Sequence, residues 1–131
     1  MMEVYAPADV VTAVIGFLKS KGVNARDVVP RERPPGMVRV TRSGGQPISY
    51  TQDQAMILIE VWDKTTLKSW NTAIRLWALF AAIEEQDTIP GLLTYKVIPT
   101  IPIQMPDEYA PELDRQQFTV EIINKMIPYE I

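Results

Sequence analysis

The chain has 131 residues, the length of one domain, and its 47% hydrophobic and 22% charged content is that of an ordinary folded protein. It has no cysteine and no histidine, which excludes disulfides, Cys/His zinc sites and nucleophile pairs that need either residue. No stretch approaches the ~20 apolar residues that span a bilayer, and the start from Met1 to Tyr5 does not read as a signal peptide. We therefore expect a protein made in a cytoplasm, with no membrane partner.

The charge is unevenly spread along the chain. The net charge is −3, made of +3 over residues 1–50 and −6 over residues 51–131. An acidic chain lacks the basic footprint of a nucleic-acid-binding protein, so no specific nucleic-acid partner is expected. This difference in charge between the two parts of the chain suits head-to-tail contact between copies, although chance clustering on a solvated surface explains it equally well.

The first predicted element is a helix over residues 7–21. Proline at position 7 and aspartate at position 9 suit its start, and Gly22 suits its end. One buried stripe is predicted, formed by Val10, Val14, Phe17 and Leu18. Gly16, inside this helix, is interpreted as a close packing contact.

A proline-rich extended or edge segment is predicted over residues 23–36, followed by a strand over residues 37–42. The Gly-rich sequence of residues 43–45 predicts a turn that opens a polar loop to about Gln54. Residues 55–62 are the most hydrophobic strand candidate and are apolar on both faces. Such a strand is central, or its second face is covered by a helix or a neighbouring subunit.

The second half predicts a long helix and more strands. The helix covers residues 65–85, with its stripe on Trp70, Ile74, Trp77, Ala81 and Glu84, widened by Phe80 and Ile83. A strand over residues 92–97 continues as an edge extension to residue 103, a loop covers residues 106–112, and residues 118–126 alternate as a half-buried strand. The order predicts one α+β domain over residues 1–131, with a small mixed or antiparallel sheet of about four to five strands packed by two helices.

Candidate chemistry is sparse. Residues 43–45 lack the spacing of a dinucleotide site and the lysine of a phosphate loop. Asp53, Glu60 and Asp63 could be imagined around a hard cation, but strand geometry places the two aspartates about 30 Å apart. We expect no catalytic residue, no cofactor and no metal site, and hence no enzyme.

Subunit contact is the preferred role for the charged clusters. The basic residues offer no interleaved aromatic side chains for base stacking, so a protein partner is favoured over a nucleic acid. The acids at the C-terminal end of the second helix are most simply a solvated helix end, but they oppose the helix dipole, and contact with a basic partner is the alternative. The interface candidates are Arg31, Arg33, Arg39, Arg42, Glu84, Glu85, Asp107 and Asp114.

Several stretches taken together resemble the tail terminator proteins of long-tailed bacteriophages, particularly those of actinobacteriophages. They are the N-terminal amphipathic helix followed by residues 37–45, an aspartate (Asp53) followed by residues 57–62 and the Ala-rich helix, and the Arg-Gln-Gln-Phe-Thr-Val-Glu strand of residues 115–121. The proline-rich region 98–111 is longer than the family pattern.

The resemblance implies a structural virion protein with a tail-terminator-like fold. Such subunits form a homohexameric ring on the finished tail tube, halt its growth and join it to the head. The implied partners are other copies, the tail tube protein and head–tail connector proteins, and the implied location is the neck of the virion. Another neck component, such as a connector or a tail-completion protein, and less readily a small ligand-binding domain, are the alternatives.

Overall fold

The computed structural model describes residues 2–83 and 88–131. Helix α1 (Val10–Ser20) begins after Asp9, whose carboxylate accepts the backbone N–H of Thr12 at 3.2 Å. Its buried residues are Val10, Val14, Phe17 and Leu18, which confirms the predicted stripe. Gly16 was interpreted wrongly: it is exposed, and a Cβ added there would meet nothing within 4 Å.

The strands form one large sheet and one small one. They are β1 (Glu3–Ala6), β2 (Asn24–Arg26), β3 (Met37–Pro47), β4 (Gln52–Asp63), β5 (Thr94–Pro99), β6 (Ile103–Gln104), β7 (Asp114–Lys125) and β8 (Ile127–Glu130). The main sheet runs β2-β3-β4-β7-β5, with β6 also paired to β7, and β1 pairs with β8 alone. Among the strands of residues 2–83 and 88–131, only the β2–β3 pair is parallel, so the sheet is mixed. The α+β class is confirmed, but six strands form the main sheet instead of four to five.

The predicted turn at residues 43–45 is wrong. Strand β3 continues through these residues to Pro47, and the register against β4 shifts between Arg42 and Gly44, as in a β-bulge. The chain reverses later, at residues 48–51, where the backbone N–H of Ile48 donates to the carbonyl of Gln52 at 3.0 Å. Gly44 and Gly45 therefore lie at a bulge within a long hairpin, and the turn of the hairpin lies further along the chain.

Helix α2 (Thr66–Ala81) is capped by Thr65, whose side chain accepts the backbone N–H of Lys68. Phe80 and Ile83, predicted to widen the stripe, are buried. The rest of the predicted stripe within the described residues is displaced by one position, because the other buried residues of α2 are Ser69, Ala73 and Leu76. Small side chains at the first two positions let the helix approach the sheet. Trp70 is instead exposed, and Trp77 lies half-buried beside the core.

Both helices pack on one face of the main sheet, here called the helix face. One core joins the α1 stripe and Phe80 of α2 to alternate residues of the central strands, among them Ile57, Ile59 and Val120. The residues between these core positions point to the opposite face of the sheet, here called the outer face. Both faces of β4 therefore carry apolar side chains, as its sequence predicts. No helix among the described residues covers the outer face.

Candidate functional site

A cluster of charged side chains lies on the outer face, at the end of the sheet where β4 finishes. Register places Arg39 of β3 opposite Glu60 of β4, and Arg115 of β7 opposite Trp62, which lies two residues along β4 from Glu60. The Glu60 carboxylate lies 3.1 Å from Arg115 and 3.7 Å from Arg39. Glu60 is therefore a buried anion shared by two guanidinium groups, the arrangement that makes a buried carboxylate tolerable.

A second carboxylate, Asp107, completes the cluster from the loop between β6 and β7. Its Oδ2 accepts the indole N–H of Trp62 at 2.8 Å and lies 2.9 Å from Arg33 Nε. Burial raises the pKa of Asp107, but these contacts, the backbone N–H of Tyr109 and the charge of Arg115 outweigh burial and lower the pKa below its ordinary 3.8. The side chain is thus held as an anion.

The indole ring of Trp62 packs against two arginines of the cluster. The guanidinium carbons of Arg33 and Arg115 lie 5.6 and 5.9 Å from its ring centre, within cation–π range. Arg115 also donates to the carbonyls of Met105 and Pro106 at 2.8 and 3.2 Å. These contacts tie the loop after β6 to the sheet.

The cluster lines an open pocket of about 390 Å³. Three arginines and three acids line it, the third acid being Glu108 at the rim, so the charges balance. Arg39 has the longest ion-pair distance and the most exposed side chain of the arginines. The pocket can therefore accept a small anionic group at Arg39, but its other cations are already paired.

The structure brings three of the predicted interface residues together: Arg33, Arg39 and Asp107. Their ion pairs are formed within one chain. Arg42 lies elsewhere and pairs with Asp53, while Arg31 is exposed and has no ion pair among the described residues.

Asp114, another predicted interface residue, accepts hydrogen bonds from Ser69, Gln104 and Thr66. Burial raises its pKa, but these hydrogen bonds and one from Gln116 outweigh burial and lower the pKa. Glu84 and Glu85, the remaining candidates, lie outside the described residues.

The sequence interpretation missed Glu60, Trp62 and Arg115 as members of one cluster. Strand alternation alone would have assigned each to the outer face of its strand. Which residues lie side by side depends on register, however, and register is set by the β3 bulge and by the turns. The imagined cation group is absent from the described residues, because Asp53 lies on the helix face and Glu60 on the outer face.

Two further surfaces of the described residues carry several exposed apolar side chains. The first, here called the β5–β6 edge, follows the open side of the main sheet and consists of Leu93, Tyr95, Ile98, Ile101, Ile103 and Met105, all exposed. The second, here called the terminal ribbon, is the β1–β8 sheet with Met2 and Ile131, whose backbones pair at 3.1 and 2.9 Å. Its exposed large apolar residues are Met2, Ile127, Tyr129 and Ile131.

Within residues 2–83 and 88–131, no helix is long and apolar enough to cross a membrane. No protein-family model and no curated protein matches the chain.

Proposed function

We propose that this chain is a tail-terminator-type subunit, which forms a homohexameric ring on the tail tube of a long-tailed phage, stops tube growth and joins the tube to the head-side connector. The proposal rests on the α+β fold and on the resemblance, which lies in the two helices, residues 37–45, Asp53 with residues 57–62, and residues 115–121. Its physical support is the exposed apolar surface of the β5–β6 edge, which is suited to contact with another protein subunit.

The β5–β6 edge is the observation that carries the proposal. Charged side chains are one of the devices that protect the edge strands of monomeric proteins, and this edge almost lacks them. Here six large apolar side chains are exposed between residues 93 and 105, and the only charged residue in that range is Lys96. Such a surface is typical of a protein interface.

Prolines define how this edge makes contact. Pro99 and Pro102 have no N–H to donate, and the N–H of Thr100 is already bonded to the carbonyl of Thr119 at 2.8 Å. The two prolines and the bonded N–H therefore disfavour extension of the sheet by a neighbouring strand along this segment. The edge therefore binds through its side chains, which suits the defined geometry of a closed ring better than open-ended strand addition.

The test is the mass of the purified protein, alone and with the tail tube protein, together with the length of the tubes formed. Ile101→Asp should abolish ring formation and release tube growth, because it buries a charge in the contact. Leu67→Asp is the matched control, since Leu67 is equally exposed but lies on α2. A wild-type chain that neither forms a ring nor limits tube length contradicts the proposal, and binding to the connector alone favours another neck component.

A small ligand-binding domain is the second candidate, favoured by the charged pocket around Arg39. If the pocket binds small carboxylates or phosphate, these should raise the unfolding temperature by mass action, and Arg39→Gln should remove the effect. No shift with any such anion excludes this candidate.

A further inference from the structure

The second half of the β5–β6 edge has little regular structure of its own. Residues 100–102 belong to no strand, and β6 contains only Ile103 and Gln104. Three of the six exposed apolar side chains of the edge, those of Ile101, Ile103 and Met105, lie in this half. Because so short a strand is weakly held by its own ladder bonds, the proposed subunit contact depends on the other groups that hold this half against the sheet.

Two threonines fix the beginning of this half. The Thr100 backbone N–H donates to the Thr119 carbonyl at 2.8 Å, and the Thr119 backbone N–H donates to the Thr100 hydroxyl at 3.0 Å. Strand β6 then pairs with residues 116 and 117 of β7. These contacts hold the start and the middle of the segment, and they leave Met105 as the end that remains to be fixed.

Arg115 of β7 holds that end. The Met105 backbone N–H donates to the Arg115 carbonyl at 2.9 Å, and the Arg115 Nε donates back to the Met105 carbonyl at 2.8 Å. One terminal nitrogen of Arg115 donates to the Pro106 carbonyl at 3.2 Å, and the other donates to the Glu60 carboxylate at 3.1 Å. One guanidinium group therefore joins the last residue of the edge to β4 as well as to β7.

The guanidinium group of Arg115 is itself held in one orientation. Its planar fork points its N–H donors in fixed directions, which lets one side chain bond to two carbonyls and a carboxylate at once. Buried Glu60 binds it on one side, and the ring centre of buried Trp62 lies 5.9 Å from the guanidinium carbon. The Arg115 side chain is only 18% exposed, so water competes weakly for these bonds. The position of Met105 therefore depends on the charged cluster and not on the short β6 ladder alone.

We propose that Arg115 is a positioning residue for the subunit contact, because it fixes Ile103 and Met105 in the arrangement in which the β5–β6 edge binds the next copy. This inference rests on the proposed ring function and names the group that shapes its contact surface. A surface already held in its bound arrangement loses less conformational entropy on association, which raises affinity without adding a contact. Since Arg115 also lines the charged pocket, the buried charges there support the apolar edge, a role that needs no ligand.

Arg115→Lys tests the inference. Lysine keeps a positive charge beside Glu60, but without the planar fork it cannot hold two carbonyls and a carboxylate together. Urea unfolding measures the stability of each protein, and sedimentation velocity measures its association. The variant should remain folded, and the protein concentration at which half of its rings dissociate should rise by about tenfold or more, the scale of one hydrogen bond to a charged group.

Arg75→Lys is the matched control. Arg75 also donates to a backbone carbonyl at 2.8 Å, that of Lys21, so its replacement removes an arginine–carbonyl bond of the same length. The bond joins α2 to the end of α1 and involves no residue of the β5–β6 edge. Association of Arg75→Lys should therefore equal that of the wild type.

A disulfide across β6 and β7 separates positioning from a general loss of stability. Gln104 lies directly opposite Gln116, and the neighbouring Met105–Arg115 pair carries the ladder bond. Gln104 and Gln116 are therefore a non-hydrogen-bonded pair, with Cα atoms ~4.5 Å apart, which a disulfide can bridge. The chain has no cysteine of its own to compete with Gln104→Cys/Gln116→Cys. Added to Arg115→Lys, the oxidised disulfide should restore most of the association, and its reduction should remove the rescue.

The outcomes separate this inference from the proposed function. Association of Arg115→Lys equal to that of the wild type overturns the inference and leaves the ring function standing. A loss of association that the oxidised disulfide does not restore also overturns it, because Arg115 would then act through overall stability or by touching the neighbour directly. Rings that respond to Arg115 as expected but never limit tube length support the inference and overturn the tail-terminator function. A wild-type chain that stays monomeric overturns both.

Discussion

Asp53, almost fully buried at the start of β4, accepts two hydrogen bonds of 2.7 Å from the guanidinium group of Arg42, across the β3–β4 hairpin. This bidentate pair raises the pKa of Arg42, chiefly through the hydrogen bonds to Asp53. The β3 bulge lies next to the pair, between Arg42 and Gly44, and the Arg42 Nε also donates to the Gly44 carbonyl at 3.0 Å. Arg42 therefore serves the hairpin of its own chain.

The first prediction is that Asp53→Asn destabilises the protein by about 2 kcal/mol, the contribution of hydrogen bonds between charged groups. The amide cannot match both guanidinium N–H groups of Arg42 or carry the compensating charge. Asp63→Asn, at the other end of β4, is the control: Asp63 accepts only the backbone N–H of Lys64 among the described contacts, which an amide can also do. Urea unfolding of the three proteins measures the difference, and equal midpoints would show that the Arg42 pair contributes little.

The second prediction concerns Gly45 and Gly16, whose replacement by alanine should have opposite effects. A Cβ on Gly45 would lie 2.0 Å from the backbone oxygen of Gln54, and φ there is +115°. Because the obstacle is backbone in a paired strand, Gly45→Ala should cost about 3 kcal/mol or more. Gly16→Ala should stabilise α1 by up to about 1 kcal/mol, since the added carbon meets nothing. Thermal unfolding checks both, and a stabilised Gly45→Ala would mean that the bulge adapts freely.

Local pattern predicts the elements of this fold better than it predicts their contacts. The α1 stripe is confirmed because an apolar period of 3.6 residues leaves one choice of buried face. The α2 stripe was wrong because large apolar residues lie on two adjacent faces, and close packing selected the face with Ser69 and Ala73. The terminal ribbon was missed because its strands are short and pair across nearly the whole chain, from Glu3 to Glu130.

The charged cluster was predictable only in part. Arg33, Arg39 and Asp107 were predicted from their charge as contacts between subunits. The structure adds ion pairs of these residues within one chain, which sequence cannot show, because they depend on the return of the loop after β6 over Trp62. That return is fixed by tertiary contacts, namely the indole hydrogen bond and the two arginine–carbonyl bonds of Arg115. Composition reveals the charges, and only the register of β3, β4 and β7 reveals their partners.

The third prediction is a loss of stability in acid that depends on Asp107. Its pKa is lower in the folded than in the unfolded chain, so the stabilisation is complete above the ordinary value of 3.8 and is lost as the pH falls through the folded pKa. Asp107→Asn should cost about 3 kcal/mol at pH 7, because it leaves Arg33 unpaired. The difference between the wild type and the variant should shrink below pH 3.8. Denaturant unfolding from neutral to acidic pH measures it, and a difference independent of pH would assign the effect of Asp107 to shape alone.

The last prediction separates charges that stabilise the fold from charges available to a neighbouring subunit. Arg39 and Arg42 pair with Glu60 and Asp53 of the same chain, so reversing them to glutamate should lower the stability of the monomer before any effect on association can be measured. Arg31 is exposed and has no ion pair among the described residues, so Arg31→Glu should change stability by less than about 0.5 kcal/mol.

We expect the basic residues from Arg31 to Arg42 to meet the acidic residues of a neighbour, either Glu84 to Asp87 or Asp107 to Asp114. Arg31→Glu should then weaken association, more at low than at high salt, because exposed charges are screened. Each exposed ion pair contributes only about 0–1 kcal/mol, so the loss should be partial. Reversing Glu84 and Glu85 to lysine in the same chain should restore part of it. Sedimentation velocity at two salt concentrations, beside urea unfolding of each variant, provides the measurement. Unchanged association of Arg31→Glu at both salt concentrations rules out charge pairing through Arg31, and apolar contact would then supply the affinity between copies.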